Sequence, residues 1–209
     1  TAVIVTENAV LPALSPQTRV ACVPETLMQS LSAMRTPQGV VFALKLPQAR
    51  EPELHPGMLL LDRIQDPGNL GTILRTADAF DTPVVLTNGC ADPFSEKTVR
   101  ASMGAVFRTQ PQLIDLEKLL KLCAEKDLPL AATALSPTAR NIREVELSDK
   151  ITVIGSEGQG ICSELLAASQ MQVIIPMSAR CESLNAAVAA ALVLWQMMKR
   201  EICSSTGSG

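Results

Sequence analysis

Leu61-Asp-Arg-Ile-Gln-Asp-Pro-Gly-Asn-Leu-Gly-Thr-Ile-Leu-Arg-Thr-Ala-Asp-Ala-Phe80 is the stretch whose reading decides the fold. An apolar run of strand length ends at Leu61, the turn Asp66-Pro67-Gly68 follows, and a helical pattern begins at once. Leu70, Ile73, Leu74, Ala77 and Phe80 share one stripe of that helix, while Thr72, Arg75 and Asp78 recur three apart on another. Asn69 reads as the helix N-cap, since its short amide can accept from an unpaired N–H of the first turn. Strand, tight turn and helix in direct succession form half of a βαβ unit, and the chain downstream repeats the pattern.

From Gly57 onward, apolar runs at 58–61, 83–86, 130–134, 151–154 and 173–175 alternate with helical segments at 70–80, 95–106, 116–126, 163–168 and 185–200. Strands that are apolar throughout and separated by helices predict an α/β domain with a parallel sheet covered on both faces. Residues 1–45 also alternate short β-type runs (3–5, 19–23, 40–44) with a helical stretch at 25–34, a small partial α/β unit. Between the two, 46–56 carries Pro47, Pro52 and Pro56 with Arg50, Glu51 and Glu53, the composition of an exposed linker. The main domain is expected over 57–202, with 203–209 as a disordered Ser/Gly tail.

A length of 209 residues suits one main domain with an appendage, at about 150 residues per domain. Hydrophobic residues at 47% and a mean hydropathy of +0.22 exclude a disordered chain. The longest apolar stretch, 186–195, is half of the roughly 20 residues a bilayer helix needs. The amino terminus has neither a basic start nor a signal-type core, and its opening Thr1 reads as a trimmed start, so a cytoplasmic protein without a membrane span is expected. The six cysteines contain no C-x-x-C pair and read as buried free thiols rather than disulfides or zinc ligands. A single histidine, His55, excludes a histidine-rich metal site, and a Ser/His triad would have to use it, so no metal is expected. The net charge of −3 gives no global signal for nucleic acid, and one Trp with no Tyr argues against base-stacking readers. An RNA partner would have to be held by local basic residues and by shape.

Two further segments carry chemistry. Ile151-Thr-Val-Ile-Gly-Ser-Glu-Gly-Gln-Gly160 is a buried strand running into a loop with three glycines in six residues, where backbone N–H groups can approach a ligand closely. Its order, G-x-x-G-x-G, is not the dinucleotide fingerprint, and a plain tight turn reads equally well. In Val173-Ile-Ile-Pro-Met-Ser-Ala-Arg-Cys-Glu-Ser-Leu-Asn-Ala-Ala-Val-Ala-Ala-Ala-Leu192, a short strand meets Pro176, a polar loop, and a helix for which Ser183 reads as the cap. That helix is apolar nearly all round and must be covered, a second subunit being one candidate. Arg75 is open to two readings: a surface pair with Asp78, or a group near the carboxyl edge of the sheet, where open α/β folds place ligands.

Taken in order, Asp66-Pro67-x-Asn69-x-Gly71 with Leu74-Arg75-Thr76-Ala77, then Ile154-Gly155-x-Glu157-Gly158-x-Gly160, then Ile175-Pro176-Met177 with Ser183-Leu184-Asn185, resemble the motifs of the SpoU (TrmH-like) branch of the SPOUT RNA methyltransferases. Arg100-Ala-Ser-Met-Gly-Ala-Val-Phe107 looks like the helix between the family's motifs, and the similarity spans about 57–200. The resemblance implies a parallel-sheet SPOUT-type domain with a C-terminal trefoil knot, which no periodicity could reveal. It further implies a homodimer and transfer of a methyl group from S-adenosylmethionine to a ribose 2′-hydroxyl. The cofactor-binding residues so implied are Thr133, Ala134, Gly155, Ser156, Glu157, Gly158, Gly160, Ile175, Pro176, Met177, Leu184 and Asn185.

The catalytic group implied is Arg75, with Asn69, Glu157, Ser183 and Asn185 fixing the geometry around it. A guanidinium with a pKa above about 12 is a poor proton acceptor, so orienting the RNA phosphate and polarising the hydroxyl is the role read for Arg75. Residues 1–45, through Arg35-Thr-Pro-Gln-Gly-Val40, look similar to a ribosomal-protein-like substrate domain, which tilts the substrate toward ribosomal RNA over tRNA. Asp81 departs from the glycine that the family commonly carries after the first-motif helix. Competing readings are a tRNA 2′-O-methyltransferase, a catalytically idle RNA-binding relative, and a NAD-dependent oxidoreductase built on the glycine loop.

Overall fold

The computed structural model describes residues 1–32, 34, 36–46, 51–178, 180–181 and 183–198. The expected tail at 203–209, the end of the expected helix and main domain at 199–202, Arg35 and linker residues 47–50 lie outside the described residues. The chain divides into two units, Thr1–Gln48 and Ala49–Gly209.

In the first unit β1 (Ala2–Val5) lies between β2 (Arg19–Cys22), to which it is parallel, and β3 (Val40–Ala43), to which it is antiparallel. Alternate residues Val3 and Val5 are buried, as the two-residue period of a strand requires, and Met28 of α1 (Glu25–Leu31) is buried with them. β2 is exposed at every position, so Cys22 is exposed rather than buried. Cys181, in a polar loop of the second unit, is exposed too, and only Cys123 of the described thiols is fully buried.

The second unit runs β4 (Leu59–Asp62), α2 (Pro67–Ala79), β5 (Val84–Thr87), α3 (Glu96–Ala101), α4 (Val106–Thr109), β6 (Gln112–Ile114), α5 (Leu116–Glu125), β7 (Leu130–Thr133), β8 (Arg140–Asn141), a 3-10 turn (Ile142–Glu144), β9 (Ile151–Gly155), α6 (Ser163–Ala168), β10 (Met171–Ile174) and α7 (Ala186–Met197). Its sheet has the order β6-β5-β4-β9-β7-β10-β8, and every pairing is parallel. The α/β class expected from the buried strands is the class observed. Leu59 and Leu61 face the layer built by α2 and α7, while Met58 and Leu60 face the layer built by α5 and α6. Each of these fully buried leucines stabilises the sheet by roughly 2 kcal/mol. The edge strands β6 and β8 were not expected, because they are short and partly solvated and carry no apolar run.

Several boundaries differ from expectation, α1 ending at Leu31 and β10 beginning at Met171 among them, and three differences have a clear local reason. α2 begins at Pro67, whose fixed φ suits the first helical position, so Asp66 and not Asn69 is the N-cap. α7 is capped by Asn185 and not Ser183, the Asn185 Oδ1 accepting from the Ala187 and Val188 N–H groups at 2.9 and 3.2 Å. The expected helix at 95–106 is broken between α3 and α4, where Met103 and Gly104 take φ of 51° and 81°. Gly71 has a packing reason, since a Cβ there would lie 2.5 Å from both the Ala101 Cβ and the Thr98 carbonyl oxygen of α3. Asp81 takes φ of 50°, the left-handed turn for which glycine is the usual choice and which Asp tolerates.

Candidate functional site

The loops that leave β4, β9 and β10 meet at the carboxyl edge of the sheet, where open parallel sheets place their ligands. Asp66 caps α2 by accepting from the Asn69 N–H at 2.8 Å, which fixes the backbone of Asn69. The Asn69 side-chain NH2 donates to Glu157 Oε1 in the loop after β9. Its Oδ1 accepts from Asn185 Nδ2 at 3.0 Å, in the segment after β10. Because Asn185 Oδ1 is committed to the α7 cap, its Nδ2 must be the donor to Asn69, and Asn69 Nδ2 is then the group left for the Glu157 carboxylate. Asp66 is held below the usual carboxylate range, first by the Asn69 N–H and then by the Lys97 ammonium 3.2 Å away.

The glycine loop is closed by its own backbone. Ser156 N–H donates to the Gly160 carbonyl at 3.2 Å and Gly160 N–H returns to Ser156 at 2.9 Å. Gly155 permits this closure, because a Cβ there would lie 2.3 Å from the Gly160 carbonyl carbon. Gly160 itself takes φ of 66°, a left-handed conformation that favours glycine. The loop thus forms a small bridged turn and does not run straight into a helix, unlike the phosphate-binding turn of a dinucleotide fold.

Beside this cluster lies a cavity of about 470 Å³. Of the residues expected to hold the cofactor, all but Pro176 and Asn185 line it, and Ser183 lines it as well. Asn185 instead bridges the cavity edge to Asn69, and Pro176 is exposed. Leu135, Ile154, Gln159, Ile161, Leu166, Val173, Ile174, Ala186 and Ala189 also line it and are not among the expected cofactor-binding residues; most of them lie at the ends of strands and loops already recognised. Apolar walls from Ile154, Val173 and Leu166 beside a polar, glycine-rich rim match a ligand with a flat heterocycle and a charged chain, and the volume lies within the roughly 300–1,000 Å³ usual for small-molecule sites. Those residues therefore fit an adenosyl-type cofactor.

Arg75 is placed differently from the other candidates. It is exposed on α2, lines no part of this cavity, and has no hydrogen-bond or ion-pair partner among the described residues. The alternative Arg75–Asp78 surface pair is not formed, because Arg108 of α4 takes the Asp78 carboxylate through Nε at 2.9 Å and Nη2 at 2.5 Å. Among the described residues no group of three or more His, Cys, Asp or Glu side chains is arranged to hold a metal ion, and no helix is long and apolar enough to cross a membrane.

A parallel α/β domain with a bridged glycine loop and a hydrogen-bonded polar cluster over a cofactor-sized cavity is an enzyme domain of the small-molecule-dependent kind. Residues 56–195 match the SpoU rRNA Methylase family, and the chain belongs to that family, which makes it an RNA methyltransferase. It is 37% identical over 185 residues to the uncharacterized tRNA/rRNA methyltransferase slr1673 of Synechocystis sp., covering 86% of this chain and 67% of that one. It is 32% identical over 175 residues to the 23S rRNA (guanosine(2553)-2′-O)-methyltransferase RlmP of Bacillus subtilis, covering 83% and 70%. The fold matches the AdoMet-bound rRNA methyltransferase of Sinorhizobium meliloti with a TM-score of 0.79 at 29% identity, over 95% of this chain and 79% of that one.

Proposed function

We propose that this protein transfers the methyl group of S-adenosylmethionine to a ribose 2′-hydroxyl of RNA, with ribosomal RNA favoured over tRNA. The observation that carries the reading is the convergence of Asn69, Glu157 and Asn185 beside the 470 Å³ cavity. When bound, S-adenosylmethionine supplies an electrophilic methyl carbon on a sulfonium. The chain's own residues bind and orient. Ile154, Leu166 and Val173 would form the apolar wall that holds the cofactor and excludes water, and the glycine loop would offer its backbone polar groups. Asn69, held from both sides, fixes the reacting ribose, and in-line placement of that kind supplies much of a transferase's acceleration. Arg75, exposed and without a partner among the described residues, holds an RNA phosphate and stabilises the charge that develops on the hydroxyl oxygen.

The working form is read as a homodimer in the cytoplasm, with Thr1–Gln48 serving as a substrate-binding unit. Val188, Leu192 and Trp195 are 49%, 42% and 59% exposed at i, i+4 and i+7 of α7, an apolar stripe that a second copy would cover. A trefoil knot is part of the same reading, supported by the return of α7 from edge-side β10 to pack on α2 and β9.

Incubation with methyl-labelled S-adenosylmethionine and either deproteinised ribosomal RNA or tRNA, followed by mapping of the labelled nucleotide, tests the proposal. Label on a ribose of ribosomal RNA is the expected result, and label confined to tRNA would reassign the substrate. No label on any RNA would favour an idle RNA-binding relative. Calorimetric binding of NAD without S-adenosylmethionine would end the reading altogether.

A further inference from the structure

The loop that borders the cofactor cavity is also gripped from its other side. Asp62, at the carboxyl end of β4, has a side chain only 2% exposed. Its Oδ1 accepts from Thr87 Oγ1 at 3.0 Å, and its Oδ2 accepts from the Cys162 N–H at 2.8 Å, one hundred residues further along the chain. The same Oδ2 accepts from Arg63 Nε at 3.3 Å and Nη2 at 3.2 Å. Arg63 reaches on to the loop, Nη1 donating to Gln159 Oε1 at 2.9 Å and Nη2 to the Gly160 carbonyl at 3.3 Å. To do so Arg63 takes φ of 55°, a conformation non-glycine residues rarely adopt, and its stem lies where a side chain on Gly89 would approach its Cγ to 3.1 Å.

We propose that Asp62 and Arg63 are positioning residues for the cofactor, locking the far end of the 156–160 loop from the side opposite the cavity. This rests on the reading of that cavity as the S-adenosylmethionine site. Gln159 and Ile161 line both the cofactor cavity and a second cavity containing Asp62 and Arg63, so the loop is the wall between them. Two of its five residues, Gly158 and Gly160, are glycines, and such backbone loses much freedom on ordering. A loop already fixed by the guanidinium and the carboxylate does not have to be ordered when the cofactor arrives, and affinity rises accordingly. A merely structural buried pair would act on thermal stability and leave cofactor affinity alone at temperatures where the fold is intact.

The test is carried out on the whole protein with Arg63→Ala and Arg63→Lys. S-adenosylmethionine binding is measured by calorimetry, kcat and KM by methyl transfer, and amide hydrogen exchange at 160–162 without cofactor. Arg63→Ala is expected to raise Kd and KM for S-adenosylmethionine about tenfold with kcat at saturation within about threefold, and to speed exchange at those amides. Arg63→Lys should fall between, since a single ammonium cannot hold Asp62, Gln159 and Gly160 at once. A Kd for Arg63→Ala within about twofold of the unmodified protein, with or without a fall in Tm, would overturn the proposal. Failure of the unmodified protein to bind S-adenosylmethionine would overturn the cavity's assignment, and the proposal with it. Slower methyl transfer from a fall in kcat alone would also count against the proposal.

Discussion

Asn185 donates to Asn69 across 116 residues of chain, and the same Asn185 caps the helix that follows it. One side chain therefore sets the start of α7 and the orientation of the group that faces Glu157. Asn69→Ala should lower kcat about a hundredfold, the loss that a displacement of about 1 Å in a reacting group produces, with a small effect on stability. Asn185→Ala should lower kcat similarly and also destabilise by about 1 kcal/mol through the lost cap. Combining the two should cost kcat far less than the product of the single losses, because they remove one shared contact. Additive losses in steady-state kinetics would mean that the contact plays no part in transfer.

Arg75 stands outside the network that joins Asn69, Glu157 and Asn185, exposed and without a partner among the described residues. Its replacement by Ala should abolish methyl transfer while leaving S-adenosylmethionine affinity within about threefold, a change below about 1 kcal/mol. Calorimetry alongside a transfer assay separates these effects. A large loss of cofactor affinity would place the guanidinium on the cofactor instead of the RNA.

The central strands could be read from the chain because each is a run of apolar residues with no competing pattern, as in Leu59, Leu60 and Leu61. The edge strands Gln112–Ile114 and Arg140–Asn141 could not, since their pairing comes from neighbours in the sheet and not from burial. Asn69 reads as a cap because Asn and Asp are nearly equivalent there, and the sign that decides between them is Pro67 at the first helical position. The meeting of Asn69 with Glu157, 88 residues away, carries no local trace, and only the ordered motifs of a resembling family pointed to it. Asp62 and Arg63 carry no sequence signal of their own, since a charged pair at a strand end is ordinary, and what sets them apart is their contacts with Gln159, Gly160 and Cys162.

The Asp66 carboxylate accepts from the Asn69 N–H and lies 3.2 Å from Lys97, and its pKa is lowered by the first of these above all. A folded-state pKa below the unfolded value of about 3.9 means that the carboxylate contributes stability above that pH, and the contribution is lost as pH falls through the folded value. Asp66→Ala should therefore destabilise by about 1 kcal/mol near neutrality, mostly as a lost cap, since an exposed ion pair adds little. In urea melts the difference from the unmodified protein should be constant from about pH 7 to 5 and shrink below about pH 4. A difference that persists unchanged at the lowest pH would show that the charge on Asp66 is irrelevant to the cap.

Phe80 meets Trp195 edge-on with ring centroids 6.2 Å apart, which anchors the exposed end of the α7 stripe to the end of α2. Val188, Leu192 and Trp195 leave a connected apolar strip in water, and a charge placed in its middle would be buried unpaired if a second copy covers it. Leu192 is 42% exposed, so Leu192→Glu should leave the fold of one chain intact while destabilising a dimer by several kcal/mol. Light scattering at micromolar concentration should give a dimer for the unmodified protein and a monomer for the variant, with Tm now independent of protein concentration. A monomer before substitution would remove the dimer from the reading, and a dimer that survives the charge would move the contact to another face.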